Sequence, residues 1–418
     1  MESTMNFPGN LFRIRTLSGF MITATCAVLL SSSYINNIDA FSTRPLLAGS
    51  GSGTSVVLKA STSSTTTVVT PPPHPSSSST RLFSSHFYNK TSTESTTILT
   101  YLEINGWLLT IDGITILIDP ILEGALDFGL PSYIYSASKR TLPSKGLYEL
   151  LPPIDCLLIT QGLDDHAHER TLKKLASQLV VTTDNDRRRP APLSIIAPPS
   201  ARDTLTKCGF SNNNKNFDIN YIRSGDDDVV ITKDKNGSSK NSIKIKATSG
   251  ALVGPPWQAR ENGYIIRSTN NDDDDGKEDS KKKGRRPPPP PSVYIEPHVE
   301  FIPKELQREK DTVDIVITPI SGQGVGILPP SPFLKGFELV HGPNDAIRLV
   351  DILKPKYVIP MQNGDVDTIG FITPIIQSIG SSNDFERKLR SSNNSNDYDD
   401  KIEIITPIIP GKDMTFSS

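Results

Sequence analysis

Cysteine is scarce: three in 418 residues, at positions 26, 156 and 208, with no CxxC spacing. That excludes a disulfide framework and a cysteine-ligated zinc. Cys156 and Cys208 sit in apolar surroundings, where a buried free thiol is the plain reading. An excess of charge of one sign is also lacking. A net charge of −2 gives no drive toward nucleic acid or an anionic membrane. Long apolar runs are missing too, so no stable membrane anchor is expected in the mature protein. Histidine is nearly as rare as cysteine. There are six, and only His166, His168, His298 and His341 fall in the part that reads as folded.

What is abundant is proline, 34 residues, set beside stretches of Ser, Asn and Asp that cannot bury a core. Without them, roughly 300 residues of ordinary globular pattern remain, enough for one sizeable domain. Residues 1–40 read as a secretory signal: Arg13 and Arg15 precede the apolar run Gly19 to Leu30, with a cleavage point after Ala40. From Phe41 to about residue 95 the chain is rich in Ser and Thr and nearly free of acids, which is transit-peptide composition. A signal followed by Phe and a transit-like segment resembles the bipartite presequences of algae with complex plastids, so the plastid is the expected destination. A secreted protein with a mucin-like stalk is the alternative; the lack of paired cysteines speaks against it.

The folded domain is expected over 96–415. It opens with apolar runs Ile98–Ile111 and Ile114–Ile118, separated by the hairpin signal Asp112-Gly113. A buried strand, Cys156–Thr160, runs into the polar loop Gln161–His168 and a helix from Glu169 with Leu172, Leu175 and Leu179 on one face. Further strands are predicted near 194–197, 218–222, 242–247, 263–268, 292–295, 312–318, 357–360 and 402–405, and helices at Ser200–Lys207, Pro343–Leu353 and Gly370–Ile379. Interleaved strands and helices point to a mixed α/β layered fold. The low-complexity insert 270–291 lies between two strand-like runs and extends a hairpin loop.

The segment Leu157-Leu158-Ile159-Thr160-Gln161-Gly162-Leu163-Asp164-Asp165-His166 resembles the signature of the metallo-β-lactamase superfamily, in which a buried strand ends in Thr-His-x-His-x-Asp-His. The likeness extends to the hairpin closing on Leu117-Ile118-Asp119-Pro120, to Val293-Tyr294-Ile295-Glu296-Pro297-His298, and to Val358-Ile359-Pro360-Met361-Gln362. It implies an αββα four-layer sandwich in a single domain. It also implies a dismantled two-metal site: Gln161 and Leu163 replace the early histidines, Gln362 stands where the last belongs, and Ser249-Gly250 offers no imidazole. For one metal the candidates are Asp165, His166, Glu296 or His298, and Gln362 as a weak oxygen donor, with His168 a spare two residues on.

Asp164 and Asp165 are the candidate catalytic carboxylates, with Asp164 or Glu296 taking up a proton. Gln161, Trp257 and Arg260 are candidates for the substrate pocket; Trp257 can equally pack its loop on the sheet. His341, far in sequence from these motifs, reads as structural. The expected function is hydrolysis of a small ester, lactone or phosphoester by a single Zn or Fe ion. The alternative is a ligand-binding member of the fold without a metal, in which Asp164-Asp165-His166 hold the loop, a carboxylate there capping the helix that begins near Glu169, and Glu-Pro-His is a hydrogen-bonded turn. Either reading takes a small molecule as partner and leaves the oligomeric state open.

Overall fold

The computed structural model describes residues 95–183, 192–235, 239–252, 259–269, 288–310, 312–325, 337–361, 366–392 and 402–418. The presequence readings at 1–94, most of the insert, Trp257 and Gln362 lie outside them.

The chain begins with three strands, β1 (Thr96–Tyr101), β2 (Trp107–Ile111) and β3 (Ile114–Ile118). Next come β4 (Ser136–Ser138), β5 (Cys156–Leu158), α1 (Glu169–Thr183), β6 (Leu193–Ala197), α2 (Arg202–Lys207) and β7 (Phe217–Tyr221). The second half holds β8 (Val229–Lys235), β9 (Ser239–Ser249), β10 (Asn262–Ser268), β11 (Val293–Ile295), α3 (Pro303–Leu306), β12 (Ile315–Pro319), β13 (Gly322–Val325) and β14 (Phe337–Val340). It ends with α4 (Pro343–Leu353), β15 (Tyr357–Met361), β16 (Asp367–Ile369), β17 (Ile376–Ile379), α5 (Ser382–Ser392), β18 (Glu403–Ile404) and β19 (Asp413–Ser417).

Two seven-stranded sheets carry the fold, ordered β19-β1-β2-β3-β5-β6-β7 and β18-β15-β12-β11-β10-β9-β8. Each is antiparallel at one end and parallel at the other. The split follows from the connections: hairpins join antiparallel neighbours, and helical crossovers return the chain for parallel ones. The expected Asp112-Gly113 turn pairs Ile111 with Ile114, with both turn residues at positive φ. β10 and β11, the strands on either side of the proline-rich insert, pair antiparallel.

Side-chain alternation builds the layers. Ile114, Ile116 and Ile118 of β3 join Ile243, Ile245, Tyr264, Ile295 and Ile317 in the core between the sheets. Leu117 and Leu157 face the other way, into a cluster with Leu172, Leu175 and Ala176 of α1 and Leu205 of α2. On the far side Ile265, Val316 and Val358 pack with Leu349, Val350 and Leu353 of α4 and Phe385 of α5. The order is helix, sheet, sheet, helix. Strands buried on both faces read as continuous apolar runs, as β5 does.

Two expectations need correction. The run Ile98–Ile111 is not one strand: residues 102–106 break it into β1 and β2, with Glu103 and Ile104 at φ 65° and 61°. Gly370–Ile379 is not a helix. It forms a short turn at Thr373–Ile375 and then β17, which pairs with β13. Pro374 removes a helical N–H donor, and a run of β-branched residues favours the strand.

Candidate metal centre

Strand ends do the placing. Asp119 follows β3, Thr160 to His166 follow β5, and Glu296 to His298 follow β11. β5 has parallel neighbours on both sides, and β3 and β11 each have one; α/β folds gather ligand-binding loops at the carboxyl ends of such strands.

Asp165, His166 and His298 each offer a ligand atom, and these atoms lie within 4.8 Å of one another. Nε2 of His298 is 3.3 Å from Nε2 of His166, and Oδ2 of Asp165 is 3.3 Å from the same nitrogen. Ligands about 2.0–2.1 Å from a tetrahedral ion stand roughly 3.3 Å apart. The donor set, two imidazoles and a carboxylate, therefore fits one Zn²⁺ or Fe ion. Oδ1 of Asp165 is buried and finds no hydrogen-bond partner among the described residues, as expected of a carboxylate left available for a ligand.

His166 is fully buried and tightly held. Its Nδ1 lies 2.8 Å from Oδ2 of Asp119, whose two oxygens also accept from the Thr160 hydroxyl at 2.5 Å and the Thr160 backbone N–H at 2.8 Å. A carboxylate on Nδ1 fixes the tautomer and leaves Nε2 for a metal. Burial pushes the His166 pKa down, but Asp165 and Asp119 outweigh it and hold it up at about 10. Burial likewise works to raise the Asp165 pKa, and His166 and His298 overcome it, leaving the carboxyl below its usual range.

Glu296 takes another role. Its Oε2 accepts the backbone N–H groups of His298 at 3.2 Å and Glu300 at 3.0 Å, shaping the turn that presents His298, with Val299 at φ 57°. Burial pushes its carboxyl up to about 8 against those N–H groups. It is not in the ligand group among the described residues. Asp164 accepts the Glu169 N–H at 3.1 Å and caps α1, while burial raises its pKa. His168 bonds through Nδ1 to the Thr171 hydroxyl at 2.8 Å and stays outside the group. Arg260 binds the Gly250 carbonyl at 2.8 Å and Glu300 at 2.8 Å. His341 donates its backbone N–H to the His298 carbonyl at 3.0 Å.

Gln161 is fully buried, and neither end of its amide has a partner among the described residues. Beside it in the fold, Glu261 accepts from the Ser200 hydroxyl at 2.5 Å. Burial raises the Glu261 pKa, while Ser200 and the His166 charge oppose it. Tyr135 borders the site as well: burial and the Asp165 charge raise its hydroxyl to about 12.

Three of these residues escaped the sequence reading. Asp119 was visible only as a strand end, Glu261 and Tyr135 not at all, because nothing local marks a residue brought in from another strand.

A family model described as a beta-lactamase superfamily domain matches residues 98–281. Over that segment the chain carries a beta-lactamase superfamily domain. Among curated proteins none matches it significantly. Solved structures that it resembles include Igni18, a metallo hydrolase from Ignicoccus hospitalis, at 16% identity, covering 77% of this chain and 99% of that one, TM-score 0.44. Another is an isothiocyanate hydrolase from Delia radicum gut bacteria, at 17% identity, covering 77% and 100%, TM-score 0.41. A third is CmlA, a diiron β-hydroxylase from Streptomyces venezuelae, at 16% identity, covering 79% and 55%, TM-score 0.41.

Proposed function

We propose that the protein is a metal-dependent hydrolase of the metallo-β-lactamase superfamily, working with a single Zn or Fe ion on a small ester, lactone or phosphoester. The observation that carries the reading is the Asp165–His166–His298 group, whose spacing suits one ion. A bound ion of this kind polarises a substrate oxygen and makes water a nucleophile near neutral pH. The chain's own residues do the rest. Asp119 holds His166 in the tautomer that leaves Nε2 free, and Glu296 sets the turn that carries His298. Oδ1 of Asp165, without a partner among the described residues, is placed to accept a proton from the attacking water. The Gln161 amide, also without partners among them, offers N–H donors and a carbonyl acceptor to a polar group of the substrate. The composition of residues 1–95 supports import into a plastid, where we place the mature protein.

The test is metal content in the full chain, its His166→Ala variant and its His298→Ala variant. About one equivalent of zinc or iron in the parent, lost from both variants, is the expected result. A parent that takes up no metal after reconstitution sinks the mechanism. It would favour a ligand-binding member of the fold, the reading that Gln161 and Leu163 at two family ligand positions support.

A further inference from the structure

The loop between β1 and β2 carries a buried amide aimed at the metal-ligand nitrogen. Asn105 is 7% exposed. Its Nδ2 lies 3.1 Å from the Asp165 backbone carbonyl and 3.2 Å from His166 Nε2. A carbonyl oxygen only accepts, so the contact to Asp165 fixes which end of the amide faces the site: the amino end. Asn105 therefore presents an N–H to the site and keeps its own carbonyl oxygen away from His166.

The loop is built to hold that side chain still. Glu103 and Ile104 are both in the left-handed region, which non-glycine residues occupy only where their surroundings impose it. The surroundings here are extensive. The Leu102 N–H donates to the Gly106 carbonyl at 2.8 Å, the Tyr101 hydroxyl to the Ile104 carbonyl at 3.1 Å, and the buried Lys139 amine to the Leu102 carbonyl at 2.6 Å. The Glu103 carboxylate accepts the backbone N–H groups of Arg140, Thr141 and Leu142.

One N–H of the amide is used by Asp165. The second points toward His166 Nε2, which has one lone pair. If that lone pair serves an ion, as the proposed function requires, the second N–H has no acceptor among the described residues and faces the reacting groups. We propose that Asn105 is a catalytic hydrogen-bond donor that stabilises negative charge on an oxygen of water or substrate drawn to the His166 side of the site. Preorganised donors of this kind act where charge develops, in a site from which water is excluded. The proposal rests on the single-metal reading.

The experiment uses the full chain and its Asn105→Ala and Asn105→Ser variants, loaded with Co²⁺, which gives a visible spectrum. Three quantities are read: Co²⁺ affinity by competition, the pH midpoint of the Co²⁺ absorption change, and kcat on p-nitrophenyl acetate and bis(p-nitrophenyl) phosphate. For Asn105→Ala the affinity should stay within about threefold. The midpoint should rise by about one pH unit, and kcat on the hydrolysed probe should fall about 10²-fold. Asn105→Ser, which keeps a short donor, should recover part of both changes. A tenfold or greater loss of Co²⁺ affinity would make Asn105 a ligand and overturn the donor role. An unchanged midpoint with metal bound would overturn it too, while leaving the single-metal site intact. If the parent chain takes up no metal, both readings fall together.

Discussion

The two loops that bring His166 and His298 together are braced by buried carboxylates in different ways. Asp119 grips the imidazole of His166 directly and anchors Thr160 at the base of the loop. Glu296 accepts backbone N–H groups at 298 and 300 and so fixes the path of the main chain. One brace sets a tautomer and a ring orientation, the other sets a turn. A residue can thus be an acid in the middle of a metal-binding motif and still serve as scaffold. Asp164 repeats the lesson on a smaller scale by capping α1.

The comparison can be broken most forcefully at Asp119. Asp119→Ala removes the partner of a buried imidazole, and we expect a loss of about 3–5 kcal/mol of stability by urea denaturation. Metal affinity by competition should fall about 10–100-fold. A variant that keeps both would show that the Thr160 loop holds His166 without help.

Glu296→Ala should cost less, about 1–3 kcal/mol, because it leaves backbone donors without an acceptor. Glu296→Gln keeps a carbonyl oxygen in place and should stay within about 1 kcal/mol of the parent. If Glu296→Gln lost the metal as completely as His298→Ala, the carboxylate would be a ligand rather than a brace.

The two braces also predict a pH profile for the metal-free protein. His166 has its folded pKa raised from 6.5 to about 10. The stability it contributes is complete below pH 6.5 and lost as pH rises through about 10. Glu296 is raised from 4.5 to about 8, so its contribution is complete below pH 4.5 and gone above about 8. Melting temperature should therefore fall in two overlapping stages as pH rises, one between 4.5 and about 8 and one between 6.5 and about 10. Glu296→Gln should erase the lower stage and leave the upper one. A flat profile between pH 5 and 10 would refute both assignments. Binding a metal at His166 Nε2 should release a proton and weaken as pH drops.

The smallest expected effect belongs to Asp164→Ala. Loss of the cap should cost about 1 kcal/mol and leave metal content unchanged. A loss of turnover with metal retained would return Asp164 to the catalytic group.

Strand β5, helix α1 and the hairpin at Asp112-Gly113 were legible because each is encoded by a local pattern: a continuous apolar run, spaced leucines, a turn dipeptide. Residues 102–106 were missed although Asn105-Gly106 is itself a turn signal; the apolar residues on both sides masked it. The helix expected at 370–379 failed because sequence spacing alone did not weigh Pro374 and its β-branched neighbours against the pairing that β13 offers.

By itself the sequence determined the layered α/β fold, the loss of the early histidines and the survival of Asp165, His166 and His298. Alternation along strands and the residue types in one short loop are local facts, and they are written in order along the chain. Only the tertiary structure placed Asp165 in the candidate ligand group and Glu296 and Asp164 as braces, and brought in Asp119 and Asn105. These residues meet His166 across 47 and 61 positions of sequence. A hydrogen bond over such a separation is fixed by which strands lie side by side in one sheet, here β1, β2, β3 and β5, which no local pattern records.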